Sequence, residues 1–498
     1  MLAWVLGFTP IADSFNLANT VPNMLFDLVL GGVAGATFIP VFVERLALDG
    51  ERRAWKSISN VVTGAIIVLA GASLIAWFCA PWIIDGFTAF RDSKTTASLM
   101  VLAQQRAVAT DLLRWFVPQI FFYGVIGVAT SLLNIRNRFG VAAWVPVANN
   151  IVCIGVLIWF HLVDPTPMLS TLSGSTDLMW LGLGTTLGVA VQFLCLLPSL
   201  FRSDLWRLTF RFNLKDPALR AVGRLGSWTL LVVLLNQLSL FVVLAFAFGV
   251  GGDGPVSAYT YGWSFMQMPY AVVVVSVLGV LTPQLAGMST AANIEGLSER
   301  LRFGLRQSLV IIIPCTLVLL VLAQPIVSIL VKHFNASHRW DVGTVLAGQS
   351  GFTIFQLCVR GLQSMQRARE VFYLYAFQNV LTIALCIAIG RHSIAELTAS
   401  VSIAYSAAAV VALFALARHR VTIASVIWSR HVRRSLGASL VMALVMALVY
   451  AGPTWNRGIG LLTRFSFAVV AGLGAYALVV VILQHRVTRV GAKDARLN

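Results

Sequence analysis

Charge is scarce in this chain. Only 11% of its 498 residues are Asp, Glu, Lys or Arg, against about 25% in soluble proteins. With 58% hydrophobic residues, no water-soluble domain of useful size remains once the apolar runs are removed. The six cysteines (Cys79, Cys153, Cys195, Cys315, Cys358 and Cys386) stand singly in apolar runs, with no CxxC. That spacing indicates neither a disulfide framework nor a metal site, and leaves buried, inert thiols as the expectation. The seven histidines form no HExxH, and there is no Walker sequence, no GxGxxG opening a βαβ unit and no nucleophile elbow. An ATP-driven pump or a dehydrogenase is therefore excluded, and no enzyme is expected. Acidic residues are scarcer than basic ones, 19 against 36. The excess positive charge sits in short loops, which points to membrane topology rather than nucleic acid.

Long apolar runs are what the sequence has in abundance. Beyond an opening stretch at 12–40, spans are expected at about 59–84, 111–134, 141–163, 179–201, 224–250, 256–286, 307–331, 343–365, 372–390, 395–417, 435–452 and 462–484. The fold class is an all-α integral membrane protein, a two-lobed polytopic helical bundle of 13 complete spans. Residues 1–8 are apolar but too short to cross a bilayer, and read as the remnant of a further span. Alternate loops carry 26 Lys and Arg on one side and 9 on the other. The richer set includes 485–498, so the C-terminus is expected in the cytoplasm.

An internal repeat supports two lobes. Ala36-x3-Pro40 recurs as Gly279-x3-Pro283, offset 243; Ala80-Pro81 recurs as Gln324-Pro325, offset 244; Arg136-x-Arg138 recurs as Arg367-x-Arg369, offset 231. The expected division is an N-lobe at 1–201, a cytoplasmic linker at 202–222, a C-lobe at 223–417, and two extra spans with a tail at 418–498. The extra pair, rich in small residues such as Gly472 and Gly474, reads as a peripheral, lipid-facing addition.

The opening stretch carries Asp13, Asn16, Asn19, Thr20, Asn23 and Asp27. At about 100° per residue all six fall within roughly a 120° arc of one helix. A polar stripe at membrane depth persists where it faces protein or a watery cavity. The alternatives are a cavity lining and interhelical hydrogen bonding, with an interfacial cap as a further reading of Asp13. An intramembrane carboxylate is a candidate for cation or proton coupling. Asn236 and Gln237 lie in the first span of the second lobe, Tyr261 and Ser264 on one face of the next, and Arg360 near the cytoplasmic end of span 343–365. Arg360 either snorkels to lipid phosphates or holds an anionic headgroup. Pro22, Pro146 and Pro269 interrupt spans, and Gly31, Gly32 and Gly35 loosen one, as bending would require.

The stretch ADSFNLANTVPNMLFDLVLGGVAGATFIPVF resembles the signature region of the MurJ (MviN) lipid II flippases, within the multidrug/oligosaccharidyl-lipid/polysaccharide exporter superfamily. The matching residues are Ala12, Asp13, Phe15, Pro22, Asn23, Gly32, Phe38 and Pro40. Arg136-x-Arg138-Phe139 resembles the family's N-R-F turn, and the C-terminal pair of spans fits its fourteen-span architecture. The resemblance implies a multi-pass flippase of the bacterial cytoplasmic membrane, working by alternating access on a lipid-linked anionic peptidoglycan precursor. It implies no cofactor, a drive from membrane potential or a coupling cation, contact with membrane lipids, and cell-wall synthases as partners. Asp13 corresponds to an essential acidic residue of the family and Arg360 to a basic one. Phe26 and Asp27 stand where the family often has basic residues, and Ser264 where it often has an arginine. Another lipid-linked oligosaccharide flippase, a cation-coupled drug exporter of the same superfamily, or a non-transporting scaffold for cell-wall synthesis remain as alternatives.

Overall fold

A computed structural model describes residues 1–28, 51–91, 95–135, 138–202, 209–210, 213, 217–291, 293–330, 349–451 and 460–494. No strand occurs among them. A span through hydrocarbon must satisfy its backbone internally, which a helix does. The longer helices are α1 Pro10–Phe26, α2 Glu51–Phe87, α3 Thr96–Phe116, α4 Pro118–Ile135, α5 Phe139–Val163, α6 Thr176–Phe201 and α7 Pro217–Val250. They continue as α8 Pro255–Pro269, α9 Ser276–Thr290, α10 Ile294–Val321, α11 Ala323–Leu330, α12 Gln349–Ser364, α13 Ala368–Ala388, α14 Ile394–Arg418, α15 Arg430–Ala451 and α16 Leu461–Asp494. Among the described residues, 11 segments are long and apolar enough to cross a membrane. Two further expected spans are represented by α1 and α12, each bordering residues outside the described set. The chain is a multi-pass helical membrane protein.

Helix starts follow local chemistry. Thr9 caps α1, its hydroxyl accepting from Ala12 N at 3.2 Å, with Pro10 in the first turn. Thr95 and Ser98 form a reciprocal capping box on α3. Ser175, Asn293 and Ser393 cap α6, α10 and α14. Pro22 and Pro146 lie inside helices that continue through them. Pro269 instead leads into a π-helical turn, Tyr270–Val275, before α9 resumes. Gly31, Gly32, Gly35, Ala36, Phe38, Pro40 and Arg136 lie outside the described residues.

By contact density the chain divides into Met1–Ser257 and Ala258–Asn498. In the first unit α1 packs on α3, α3 and α4 on α6, α5 on α6, and α2 on α4 and α7. Within this unit Asn60 of α2, buried, exchanges side-chain bonds with the backbone of Asn213, and Ser59 Oγ accepts from Thr209 N at 3.1 Å. In the second unit α12 and α13 pack on α14, α9 on α10, and α10 on α15, which pairs with α16. Little of the most apolar part of α16 is buried, 11%, the same share as in α5. The cysteines are all free, but only Cys358 and Cys386 are buried and Cys195 is exposed. An apolar run turned toward lipid leaves a thiol open where a soluble core would enclose it.

Candidate functional site

The α1 stripe divides along its length. At its start, Asp13 and Asn16 are 1% and 5% exposed. Asp13 Oδ1 accepts two hydrogen bonds from Ser257, from the backbone N–H and from the hydroxyl, each at 2.8 Å. Asn16 Nδ2 donates to the same Ser257 Oγ at 2.9 Å. Ser14 Oγ donates to Gln105 O at 3.2 Å, and Phe15 meets Phe116 edge-on at 5.2 Å. This end of α1 is sealed in protein.

Ser257 is the third residue of α8, and the residue before that helix is Gly254. A helix start wants a side-chain oxygen on the N–H of its second or third residue. Glycine has none, and Asp13 supplies it from another helix. A carboxylate is also the favoured charge at a helix N-terminus. Glycine is needed at 254 for two reasons: its φ is +79°, and a Cβ there would lie 2.6 Å from Phe8 Cα. The separation of Asp13 and Ser257 is 244 residues, the same spacing as the internal repeat. The contact joins the starts of two helices, both opened by a proline, Pro10 and Pro255.

The other end of the stripe is open. Asn19 and Thr20 are half-buried, while Asn23 and Asp27 are exposed. Thr20 Oγ1 and Asn23 Nδ2 turn back onto Asn16 O and Asn19 O, at 2.7 and 2.9 Å. Asp27 Oδ2 accepts from Gln237 Nε2 on α7 at 3.2 Å. Two of the expected site residues thus meet directly. Asn236, beside Gln237, is half-buried.

In the second unit, Tyr261 is half-buried and Ser264 exposed, its hydroxyl bonded back to Thr260 O at 2.9 Å. Arg360 is exposed on α12 and donates to Gln363 Oε1 at 3.1 Å. One turn earlier on the same helix, Gln356 accepts from Tyr375 OH at 3.2 Å. Deeper in the unit, Gln349 is fully buried, donating to Met266 O at 3.1 Å and accepting from Thr316 Oγ1 at 2.9 Å. In the same unit the rings of Trp263, Tyr270, Phe352, Phe355, Tyr375 and Tyr405 form a chain of edge-on contacts with one another.

Ser257, Gln349 and Gln356 were not foreseen from sequence. Pro255 after glycines was a legible helix start, but which distant carboxylate would cap it was not written locally.

Comparison with known proteins places this architecture. The family described as Lipid II flippase MurJ matches residues 2–465. A probable lipid II flippase MurJ of Rhizobium meliloti (strain 1021) is 24% identical over 490 residues, covering 94% of this chain and 80% of the relative. The lipid II flippase MurJ of Burkholderia cenocepacia is 24% identical over 468 residues, covering 90% and 85%. Among solved structures, a lipid II flippase MurJ in an inward closed conformation superposes with a TM-score of 0.75 at 19% identity, covering 98% of this chain and 95% of the other. An inward-facing multidrug resistance MATE family transporter of the MOP superfamily gives 0.69 at 16% identity, covering 86% and 94%. Both superpositions show the fold alone, and the match over residues 2–465 shows the family: the chain belongs to the MurJ lipid II flippase family.

Proposed function

We propose that this protein moves lipid II, the lipid-linked peptidoglycan precursor, from the cytoplasmic to the outer leaflet of the bacterial cytoplasmic membrane by alternating access. Family membership across nearly the whole helical chain carries the reading. The physical need is plain: a pyrophosphate–sugar headgroup loses its hydration in hydrocarbon and cannot cross unaided. The work is conformational, with no covalent step. Membrane potential or a cation gradient drives it, and cell-wall synthases are its partners. The surplus of Lys and Arg in alternate loops supports a cytoplasmic C-terminus.

Within this function the two ends of α1 divide the labour. The Asp13–Asn16–Ser257 network is a latch that holds one state and must part for the other. In the first unit Asn23, Asp27 and Gln237 are polar groups available to a headgroup; in the second, taken by itself, Arg360 is an exposed guanidinium. Neutral amides hold phosphate about half as strongly as charged donors, so Arg360 is the principal electrostatic contact. The test is exposure of lipid II at the outer leaflet in cells depleted of their own flippase. The wild-type chain restores it and Arg360→Ala does not. A wild-type chain that reaches the membrane yet restores nothing would sink the proposal.

A further inference from the structure

Helix α12 carries a polar stripe of its own, and its donors and acceptors are unevenly used. At about 100° per residue, Gln349, Thr353, Gln356, Arg360 and Gln363 fall within roughly an 80° arc. The opposite face, with Phe355, Cys358, Val359 and Leu362, is buried in the core of the second unit. Along the stripe, Gln349 and Thr353 are fully buried, Gln356 is half-buried, and Arg360 and Gln363 are exposed. The stripe therefore opens toward the C-terminal end of the helix.

In that open part both amides are turned the same way. Gln356 Oε1 accepts from Tyr375 OH on α13 at 3.2 Å. Gln363 Oε1 accepts from Arg360 Nη1 at 3.1 Å. A guanidinium has donors and no acceptor, so the Gln363 amide bonds it through oxygen. Each amide oxygen is thus engaged from within the protein. Among the described residues no hydrogen bond engages either amide NH2 group, and Arg360 bonds Gln363 alone. What these three side chains offer outward is N–H: two neutral amide groups beside a guanidinium.

Such a face selects by what it lacks. Sugar hydroxyls and peptide amides donate as well as accept, and both amide oxygens that would receive them are already engaged. Ionised phosphate oxygens only accept. Each N–H given to one makes a charge-assisted bond, about twice as strong as a neutral one. A half-buried amino group is also costly to leave without an acceptor, which favours an occupant at Gln356.

We propose that Gln356 and Gln363 complete an anion-binding group around Arg360, and that its ligand is the pyrophosphate of the lipid-linked substrate. Gln356 gives an amide N–H to a phosphate oxygen. Gln363 is a positioning residue, which holds one nitrogen of the guanidinium and leaves the other N–H groups available. The assignment rests on the flippase reading above and deepens it by naming which groups meet the phosphates.

The experiment is native mass spectrometry of the full chain in detergent, offered undecaprenyl pyrophosphate or undecaprenol, which share one tail. Wild type retains the pyrophosphate preferentially, and Arg360→Gln loses most of that preference. Gln356→Met lowers it about tenfold and Gln363→Met about threefold. Gln363→Glu still accepts from Arg360 but adds a negative charge, and falls below Gln363→Met. Each variant is read as a ratio between two lipids of the same tail, so damage to packing lowers both retentions and leaves the ratio unchanged. If Arg360→Gln loses the preference while Gln356→Met and Gln363→Met keep it, the proposal is overturned and the flippase reading stands. If wild type shows no preference, both fail. Inorganic pyrophosphate held as tightly as undecaprenyl pyrophosphate also overturns the proposal, by making this a site for a free anion.

Discussion

The two ends of α1 carry the same kinds of side chain and face the same side of one helix, yet their surroundings are opposite. Asp13 and Asn16 are enclosed and converge on Ser257, while Asn23 and Asp27 are exposed and Asp27 reaches a partner helix through Gln237. A polar stripe in a membrane helix is thus not one site. An enclosed carboxylate answering a backbone N–H is a fastening, and an exposed one is available to something that comes and goes.

The largest expected effect breaks the fastening. Asp13→Ala leaves the Ser257 N–H without its carboxylate and Asn16 in an altered pocket, costing about 2–3 kcal/mol, read as a lower thermal midpoint in detergent together with loss of flipping. Asp13→Asn keeps one acceptor oxygen and is expected to lose about half as much. If Asp13→Ala melts like wild type, the enclosed end is not a fastening. Next comes Gly254→Ala, which forces a Cβ against Phe8 at positive φ and costs about 1–3 kcal/mol by the same assay. At the open end the two readouts separate. Asp27→Ala is expected to melt within about 0.5 kcal/mol of wild type while restoring less lipid II exposure. Asp27→Asn retains the bond from Gln237 and isolates the charge. Asn23→Ala is expected to have the smallest effect on stability, again within about 0.5 kcal/mol; a large loss of stability there would erase the contrast between the ends.

Much of this architecture was legible in the chain itself. Spans announce themselves because lipid demands some 20 apolar residues in a row, and the stripe follows from helical angle alone. The two sequence-read spans that the structure represents only by shorter helices, α1 and α12, border residues outside the described set. What could not be read was pairing across distance. Ser257 lies 244 residues from Asp13, and nothing near either residue names the other. The offsets of 243 and 244 between recurring prolines match that separation, but they do not name a contact. Asp13 as an interfacial cap was among the readings left open; the helix it caps proved to be α8 rather than its own. The ring contacts between α8, α12 and α14 were equally invisible, because they depend on packing that no local pattern encodes.

The wide turn at Tyr270–Val275 has a consequence for the rest of its span. Each residue added to or removed from a helix rotates everything beyond it by about 100°. Leu278, Leu281 and Leu285 face the core beyond that turn, at a phase set by it. Drawing the turn down to ordinary α geometry at unchanged length would swing the three leucines out of register, whereas deleting one of the four consecutive valines should let it tighten and keep them in phase. Here a single residue of length, rather than any one side chain, decides which surface the second half of the span turns inward.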